Sequence, residues 1–474
     1  MSFATQADYE RFIAEKILSA PMCGIEDPPE LHPRLFNFQR DLTRWALMLG
    51  RCALFEDTGL GKTGQGLEFA RVCSEVTEQP SVILTPLAVA GDFCKEGAKL
   101  GNDVNRVNVL LKPGVNVLNY DSLHKIDGQP VGCVVCDEGS IMKNFEGKTR
   151  NRLIERFADT QFKLILTATP APNDYTELGN YAEFLGVMQR SVMLAQFFTH
   201  DGGDTSKWRL KRHGVKAFWK WVSSWAALVR NPRDLGYDIA GYDLPPIMYE
   251  EHEVKLTSAQ KRTIQEASDK KQLGLFAEAS TLIDQRAVRR ISIEQRCALA
   301  ASFAWEAPNE PCIFWCDLND ESTTLAKMIP GSVEVTGSMS TEEKERRLDA
   351  FTNQEPWAKH LITKPDIAGF GKNWQHCCEV VTVSPTHSFE TVYQLERRCH
   401  RFGQKRTVRV RCIRTDADGR IVANFQRKRE DAAKMAEEMA ALSREYVIEN
   451  VKGHKRATAK YEPNKAWELP TWAQ

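Results

Sequence analysis

The chain has 474 residues, too many for one ordinary core and enough for two to four domains of roughly 100–200 residues each. With 42% hydrophobic and 27% charged residues it reads as a soluble globular protein, which excludes a mainly disordered chain, a collagen-like fibre and a membrane protein. Lys plus Arg and Asp plus Glu each total 63, so a polyanion could be met only by cations segregated along the chain.

Residues Tyr9 to Leu18 predict one helix, broken by Pro21, Pro28 and Pro29. From Leu35 to about Glu183 short β-branched runs alternate with helical stretches. The runs are Cys52–Glu56, Val82–Thr85, Val107–Leu111, Val115–Asn119, Val131–Cys136 and Lys163–Thr167, and they predict a buried parallel sheet. Residues 190–246 differ in texture, with a basic glycine-containing loop (Asp201 to Gly214) before an aromatic-rich helix (Ala217 to Val229). Residues 256–305 read as helical and polar. Alternation then resumes with Cys312–Cys316, Val333–Thr336, His360–Thr363, Glu379–Val383 and Thr407–Ile413, and Ser340 with Glu343 marks a helix start. Ala423 to Val451 predicts a long helix with a stripe of Met435, Met439, Leu442 and Tyr446.

Thirteen cysteines and an N-terminal stretch without an apolar core lead us to expect free thiols in a reducing, cytoplasmic compartment. Cys133 and Cys136 form a CxxC inside a β-branched run, where a metal or redox site would need a turn, so buried strand cysteines are expected.

Three segments carry chemistry. The strand Cys52–Phe55 runs into Asp57-Thr58-Gly59-Leu60-Gly61-Lys62-Thr63 and a helix. Backbone N–H groups of such a loop surround phosphates, with Lys62 reaching the β- and γ-phosphates and Thr63 ligating Mg²⁺. Glu56 stands where the general phosphate-loop pattern has glycine. The strand ending Asp137-Glu138 would bring one carboxylate to the metal and the other to the attacking water. Small hydroxyl residues of Thr167-Ala168-Thr169 end a third strand, where they could sense the γ-phosphate. Farther on, Arg398 and Arg401 lie three apart, hence on one face of an expected helix, and two guanidiniums suit the charge of a transferring phosphoryl group. Lys207, Arg209, Lys211 and Arg212, interleaved with aromatics, form a candidate nucleic-acid surface, whereas Phe218, Val222, Trp225 and Val229 follow a core stripe. Residues 394–429 hold twelve basic residues against three acidic ones and read as a second basic strip.

Taken in order, these motifs resemble the SWI/SNF-type DNA-translocase branch of superfamily 2 helicases, in a compact form similar to bacteriophage or bacterial members. DTGLGKT resembles the family's motif I, and DEGSIMKN (Asp137 to Asn144) resembles DEAHxxKN, with Gly139-Ser140 replacing Ala-His. LTATPAPN (Leu166 to Asn173) resembles LTGTPxxN, AGFGKN (Ala368 to Asn373) resembles AGGxGxN, and Gln394 to Gln404 resembles QAxxRxHRxGQ. Ser384-Pro385 replaces an acidic residue and a Trp-Asn-Pro stretch. The resemblance implies an α/β fold of two RecA-like parallel-sheet lobes with a helical insertion and a C-terminal helical brace. The expected boundaries are a helical extension at 1–34, lobe 1 at 35–190, a Trp-rich basic insertion at 191–295, lobe 2 at 296–422 and a helix and tail at 423–474. It implies ATP and Mg²⁺ as cofactors and DNA (duplex, forked or single-stranded) as partner, together with replication or recombination proteins. By the same resemblance Gln39 meets adenine; Thr58, Gly59, Gly61, Gly371 and Gln394 join the nucleotide site; and Thr169 and Asn373 join the nucleic-acid candidates. Lys62, Asp137, Glu138, Arg398 and Arg401 are the expected catalytic residues. The expected activity is ATP hydrolysis driving translocation along, or remodelling and unwinding of, DNA. The alternative is a non-motor ATP-binding clamp that recruits other proteins.

Overall fold

Apolar runs of four to six residues bury both faces only inside a sheet covered by helices, and that is what they form here. In the computed structural model the described residues are 20, 22–86, 89–107, 109–171, 174–201, 204–262, 289–368, 372–384, 389–416 and 418–452. The expected helix Tyr9–Leu18, Pro172, Asn173, Gly371, Pro385 and the tail beyond 452 lie outside them, as does the side chain of Lys207. The chain divides into two units, one within residues 1–239 and 434–474 and the other within 240–433.

In the first unit the strands are β1 (Arg51–Glu56), β2 (Ser81–Thr85), β3 (Val104–Arg106), β4 (Val115–Asn119), β5 (Cys133–Asp137), β6 (Phe162–Thr167) and, later, β9 (Ala226–Val229). They form one seven-stranded sheet in the order β3-β4-β2-β5-β6-β1-β9, every pair parallel. β1, β2, β5 and β6 are buried along their whole length, Cys133 and Cys136 included. The expected strand Val107–Leu111 is a correction. The edge strand stops at Arg106, and Val109 and Leu110 are exposed as the chain turns towards Pro113.

Residues 190–230 bring two further corrections. The expected basic loop is an antiparallel hairpin, β7 (Phe198–Asp201) with β8 (Asp204–Leu210). The expected long aromatic helix is short, Val215–Val222, and its last predicted turns are strand β9 paired beside β1, Ala53 opposite Ala226 and Glu56 opposite Val229. A 3.6-residue stripe and a buried strand both read as near-continuous apolar sequence, and pairing with β1 decides between them. Phe218, Val222, Trp225 and Val229 are all buried, as a core stripe requires. Trp221 packs on Phe197 and Trp225, and Trp225 on Phe55, so the aromatic block forms the wall of this sheet.

The second unit holds β10 (Ile247–Val254), β11 (Cys312–Trp315), β12 (Ser332–Val335), β13 (His360–Thr363), β14 (Glu379–Thr382) and β15 (Val408–Thr415). Its sheet runs β10-β15-β14-β11-β13-β12, again all parallel. The molecule is α/β with two RecA-like parallel-sheet lobes. β10 lies in the segment expected to be a helical insertion. Its glutamates at 250, 251 and 253 hide it from a search for apolar runs, and it is recruited by pairing along all eight residues of β15.

The long helix spans Gly419–Lys452 and counts with the first unit from Lys434. Met439, Ser443 and Val447 are its buried residues there, with Met435 half-buried, whereas Leu442 of the expected stripe is exposed. Ser340 caps helix Thr341–Thr352 by accepting the Glu343 N–H at 3.2 Å.

Candidate nucleotide site

In a parallel sheet every strand delivers its carboxyl end to the same edge, so residues far apart in sequence meet there. The ends of β1, β2, β5 and β6 do so in the first unit. β1 leads through residues 57–61 into helix α1 (Lys62–Thr77). Gly59 and Gly61 both take φ of +89°, which side-chain-bearing residues rarely adopt. A Cβ at Gly61 would also lie 2.1 Å from Gln39 Nε2. The loop is held from behind. Gln39 Nε2 donates to the Leu60 carbonyl at 2.7 Å, and its Oε1 accepts the Phe36 N–H at 2.8 Å. Gln39, expected to meet adenine, is therefore committed first to positioning the loop, with one amide hydrogen and one lone pair over. Asp57 Oδ1 accepts the Thr58 N–H at 2.7 Å. Lys62 Nζ rests on its own loop, donating to the carbonyls of Glu56 at 2.7 Å and Asp57 at 3.1 Å. Thr63 is half-buried in the first turn of α1.

Asp137 ends β5. Its Oδ2 accepts the Thr85 hydroxyl at 2.9 Å, and its backbone carbonyl accepts the Tyr120 hydroxyl at 2.5 Å. Burial raises its carboxyl to about 7, the adjacent Glu138 adds to the rise, and Thr85 and Lys62 oppose it. Glu138 adopts φ of +50°, a left-handed conformation uncommon for a residue with a side chain, and its Oε2 is buried without a hydrogen-bond partner among the described residues. A desolvated carboxylate beside an unsatisfied one, near a lysine and a threonine, is a hard-oxygen donor set suited to Mg²⁺. Gly139 is required here, since a Cβ would lie 2.4 Å from Ile165 Cγ2, which explains why alanine is absent from this position. Thr169 is buried and its N–H donates to the Thr167 hydroxyl at 3.2 Å.

Thus Gln39, Thr58, Gly59, Gly61, Lys62, Thr63, Asp137, Glu138 and Thr169 gather at one edge of the first sheet. Sequence reasoning missed Thr85 and Tyr120, which brace Asp137, and Gln65. Gln65 donates to both carboxylate oxygens of the fully buried Glu56 at 2.9 Å. The signal for that pair was present in the glutamate standing at a glycine position.

The remaining catalytic and nucleotide-site candidates belong to the second unit, and here the helix-face expectation fails. Helix Phe389–Glu396 ends before Arg397, so Arg398 and Arg401 lie in the turns that follow. Arg398 is buried and donates through Nε to the Gln394 carbonyl at 3.0 Å and through Nη2 to Gln394 Oε1 at 2.8 Å. Arg401 is half-exposed. Gln404 Nε2 ties the same turn to the carbonyls of Gln375, Cys377 and Cys399, and His400 Nε2 donates to Pro245 at 2.6 Å. Ser384, replacing an acidic residue, bonds a buried pair of Arg296 and Glu321. Asn373 is exposed.

The basic strip of residues 394–429 is also corrected. Glu250 of β10 and Glu379 of β14 pair with Arg409 and Arg411, and Glu251 and Glu253 pair with Arg414. Arg406 pairs with Glu310, and Arg429 lies over the Tyr249 ring. Much of the strip's charge is neutralised inside the sheet. In the other strip Lys211 Nζ caps the carbonyls of Ala195 and Gln196 at 2.9 and 3.0 Å, while Arg209 and Arg212 are exposed.

A family model described as the SNF2-related domain matches residues 98–298. The human TATA-binding protein-associated factor 172 is 24% identical over 213 residues, which is 37% of this chain and 11% of that protein. The mouse DNA annealing helicase and endonuclease ZRANB3 is 28% identical over 164 residues, 30% of this chain and 15% of that protein. The matched segment thus spans a small part of either relative. Among solved structures, the Sulfolobus solfataricus SWI2/SNF2 ATPase core in complex with dsDNA aligns over 90% of this chain and 98% of its own, at 19% identity and a TM-score of 0.40.

Proposed function

We propose that this chain is a SNF2-type member of helicase superfamily 2, an ATP hydrolase whose turnover drives movement along DNA or remodelling of it. The observation that carries the ATPase part is the gathering of Lys62, Thr63, Asp137 and Glu138 at one carboxyl edge, around a loop built to surround phosphates. The match of residues 98–298 to the SNF2-related domain, and the DNA-acting name of one relative, support DNA as the partner.

In this reading the loop amides and Lys62 hold the phosphates, and Thr63 and Asp137 would hold Mg²⁺, which when bound would supply positive charge to the transferring group. Glu138 orients the attacking water, and its unpaired Oε2 is free to accept that water's hydrogen. Arg401 is assigned to the charge of the transferring phosphoryl group. Arg398, locked on Gln394, serves that turn first. Exposed Arg209, Arg212 and Asn373 are assigned to the nucleic-acid backbone. The clamp alternative is disfavoured because the loop lysine, its threonine and both carboxylates are chemically competent residues.

ATPase rates measured in parallel with no nucleic acid, single-stranded DNA, duplex DNA and RNA test this. Stimulation by DNA, abolished in Lys62→Ala, is the expected result. Turnover that ignores every nucleic acid would favour the clamp. Arg401→Ala should keep nucleotide binding and lower turnover by about 10³-fold.

A further inference from the structure

Glu56 joins β1 to the phosphate loop, and its side chain is fully buried. The side-chain hydrogen bonds on its carboxyl come from Gln65 Nε2, which is 2.9 Å from both oxygens. Gln65 Oε1 is also buried and has no hydrogen-bond partner among the described residues. An ionised carboxylate only accepts, so it can do nothing for that orphaned oxygen. A carboxylic acid donates one O–H, and an amide facing it can return one N–H. The two groups then close a ring with both hydrogen bonds reciprocated.

We propose that Glu56 carries a proton in the nucleotide-free protein and forms a reciprocal acid–amide pair with Gln65, making Glu56 a positioning residue of the phosphate loop. The O–H of Glu56 donates to Gln65 Oε1, and Gln65 Nε2 donates to the other Glu56 oxygen. This needs the amide to turn from its present position, in which Nε2 lies between the two oxygens. The orphaned Gln65 Oε1 is then satisfied, as a buried polar atom requires.

The surroundings leave little to stabilise an ionised form. On the same face Lys62 acts on the carboxyl, but its Nζ is spent on the Glu56 and Asp57 carbonyls. Helix Asn37–Leu49 carries Asp41, bound by Tyr237, and Arg40 and Arg44, bound by Asn37 and Asp27. Farther along α1, Glu68 is held by Arg71. The flanking strands present Thr167 and Val229, neither charged. Burial raises the carboxyl to about 7, against the pull of Lys62 and the Gln65 bond.

The consequence follows from linkage. Phosphates arriving over the loop bring negative charge towards Glu56 and favour its protonated form, so binding takes up a fraction of a proton at neutral pH. Nucleotide binding to this chain should tighten as pH falls from about 8 towards 6, by up to tenfold per pH unit at the limiting slope.

This inference rests on the nucleotide-binding reading, so its test has two arms. Infrared spectroscopy of the full chain without nucleotide, at pH 6.5, should show a protonated-carboxyl carbonyl band in the difference between wild type and Glu56→Gln, where the contribution of Asp137, also raised to about 7, cancels, and that band should shift in D₂O. Gln65→Met should keep the band but move it towards the frequency of an unbonded acid. Absence of the band from the difference between wild type and Glu56→Gln overturns the pair. In the second arm, ATP binding is measured by calorimetry in EDTA, in buffers of different ionisation enthalpy. Wild-type protein should take up more protons than Glu56→Gln, a comparison that cancels the ligand's own titration. Equal uptake overturns the linkage, and no ATP binding by wild type at any pH overturns the nucleotide reading while the infrared arm still judges the pair.

Discussion

Removing the Glu321 carboxylate should be among the most damaging single changes in the second unit. Arg296 and Glu321 are both 0% exposed and 2.6 Å apart. Arg296 also donates to the Ser292 hydroxyl at 2.9 Å, the Val383 carbonyl at 2.6 Å, the Ser384 hydroxyl at 2.5 Å and the Arg289 carbonyl. Glu321 Oε2 accepts the N–H groups of Asp317 and Leu318 at 2.8 and 3.1 Å. The network thus joins the ends of β11 and β14 to helices Ile293–Glu306 and Asn319–Met328. Glu321→Ala strands a guanidinium in the interior and orphans two backbone donors. Breaking such a pair from one side costs about 3–5 kcal/mol, or about 6–20 °C in midpoint for a unit of this size. Differential scanning calorimetry would read the shift, and amide exchange of β11 and β14 would assign it to this unit. The double variant Arg296→Met/Glu321→Leu, which removes both charges and keeps volume, should recover most of the loss. A loss below about 1 kcal/mol in Glu321→Ala, or no recovery in the double variant, would refute the reasoning.

Gly139→Ala should destabilise the first unit by about 1–3 kcal/mol through its contact with Ile165. In Gly139→Ala/Ile165→Ala, urea denaturation should show a combined cost smaller than the sum of the single costs. Gly61→Ala meets both a φ of +89° and the Gln39 amide, so it should weaken binding of a fluorescent ATP analogue at least tenfold while leaving the second unit's unfolding unchanged. Lys163 is buried, caps the Phe184 carbonyl at 3.0 Å, and is lowered to about 7 by burial and then by Arg51. Because its folded value lies below its unfolded one, the unfolded chain binds more protons between about 7 and 10. Its contribution to stability therefore rises with pH across that window. Lys163→Met should abolish this rise in the difference between wild-type and variant stability curves; parallel curves would contradict it.

How much of this was legible without coordinates depended on the range over which each feature is encoded. Strands β4 and β13 match their expected limits because their apolar runs and flanking turns are local. Glu56 and Gln65 were both readable, nine residues apart, but their meeting depends on a strand turning back into a helix. Arg398 and Arg401 show the opposite failure, since spacing of three implies one face only while the helix lasts, and it ends at Glu396.

The sequence by itself determined the local features: a glycine-bearing loop between a strand and a helix, a strand ending in two carboxylates, and buried strand cysteines. These are local patterns of residue type and period. The tertiary structure alone decided which charges remain available. The balance of 63 cations and 63 anions pointed to exposed basic strips, yet β10 pairs with β15 across some 160 positions and sets glutamates 250, 251 and 253 beside arginines 409, 411 and 414. Strand pairing at that separation has no signature in either segment alone, because each glutamate and each arginine reads as a solvated residue until the two strands are laid side by side.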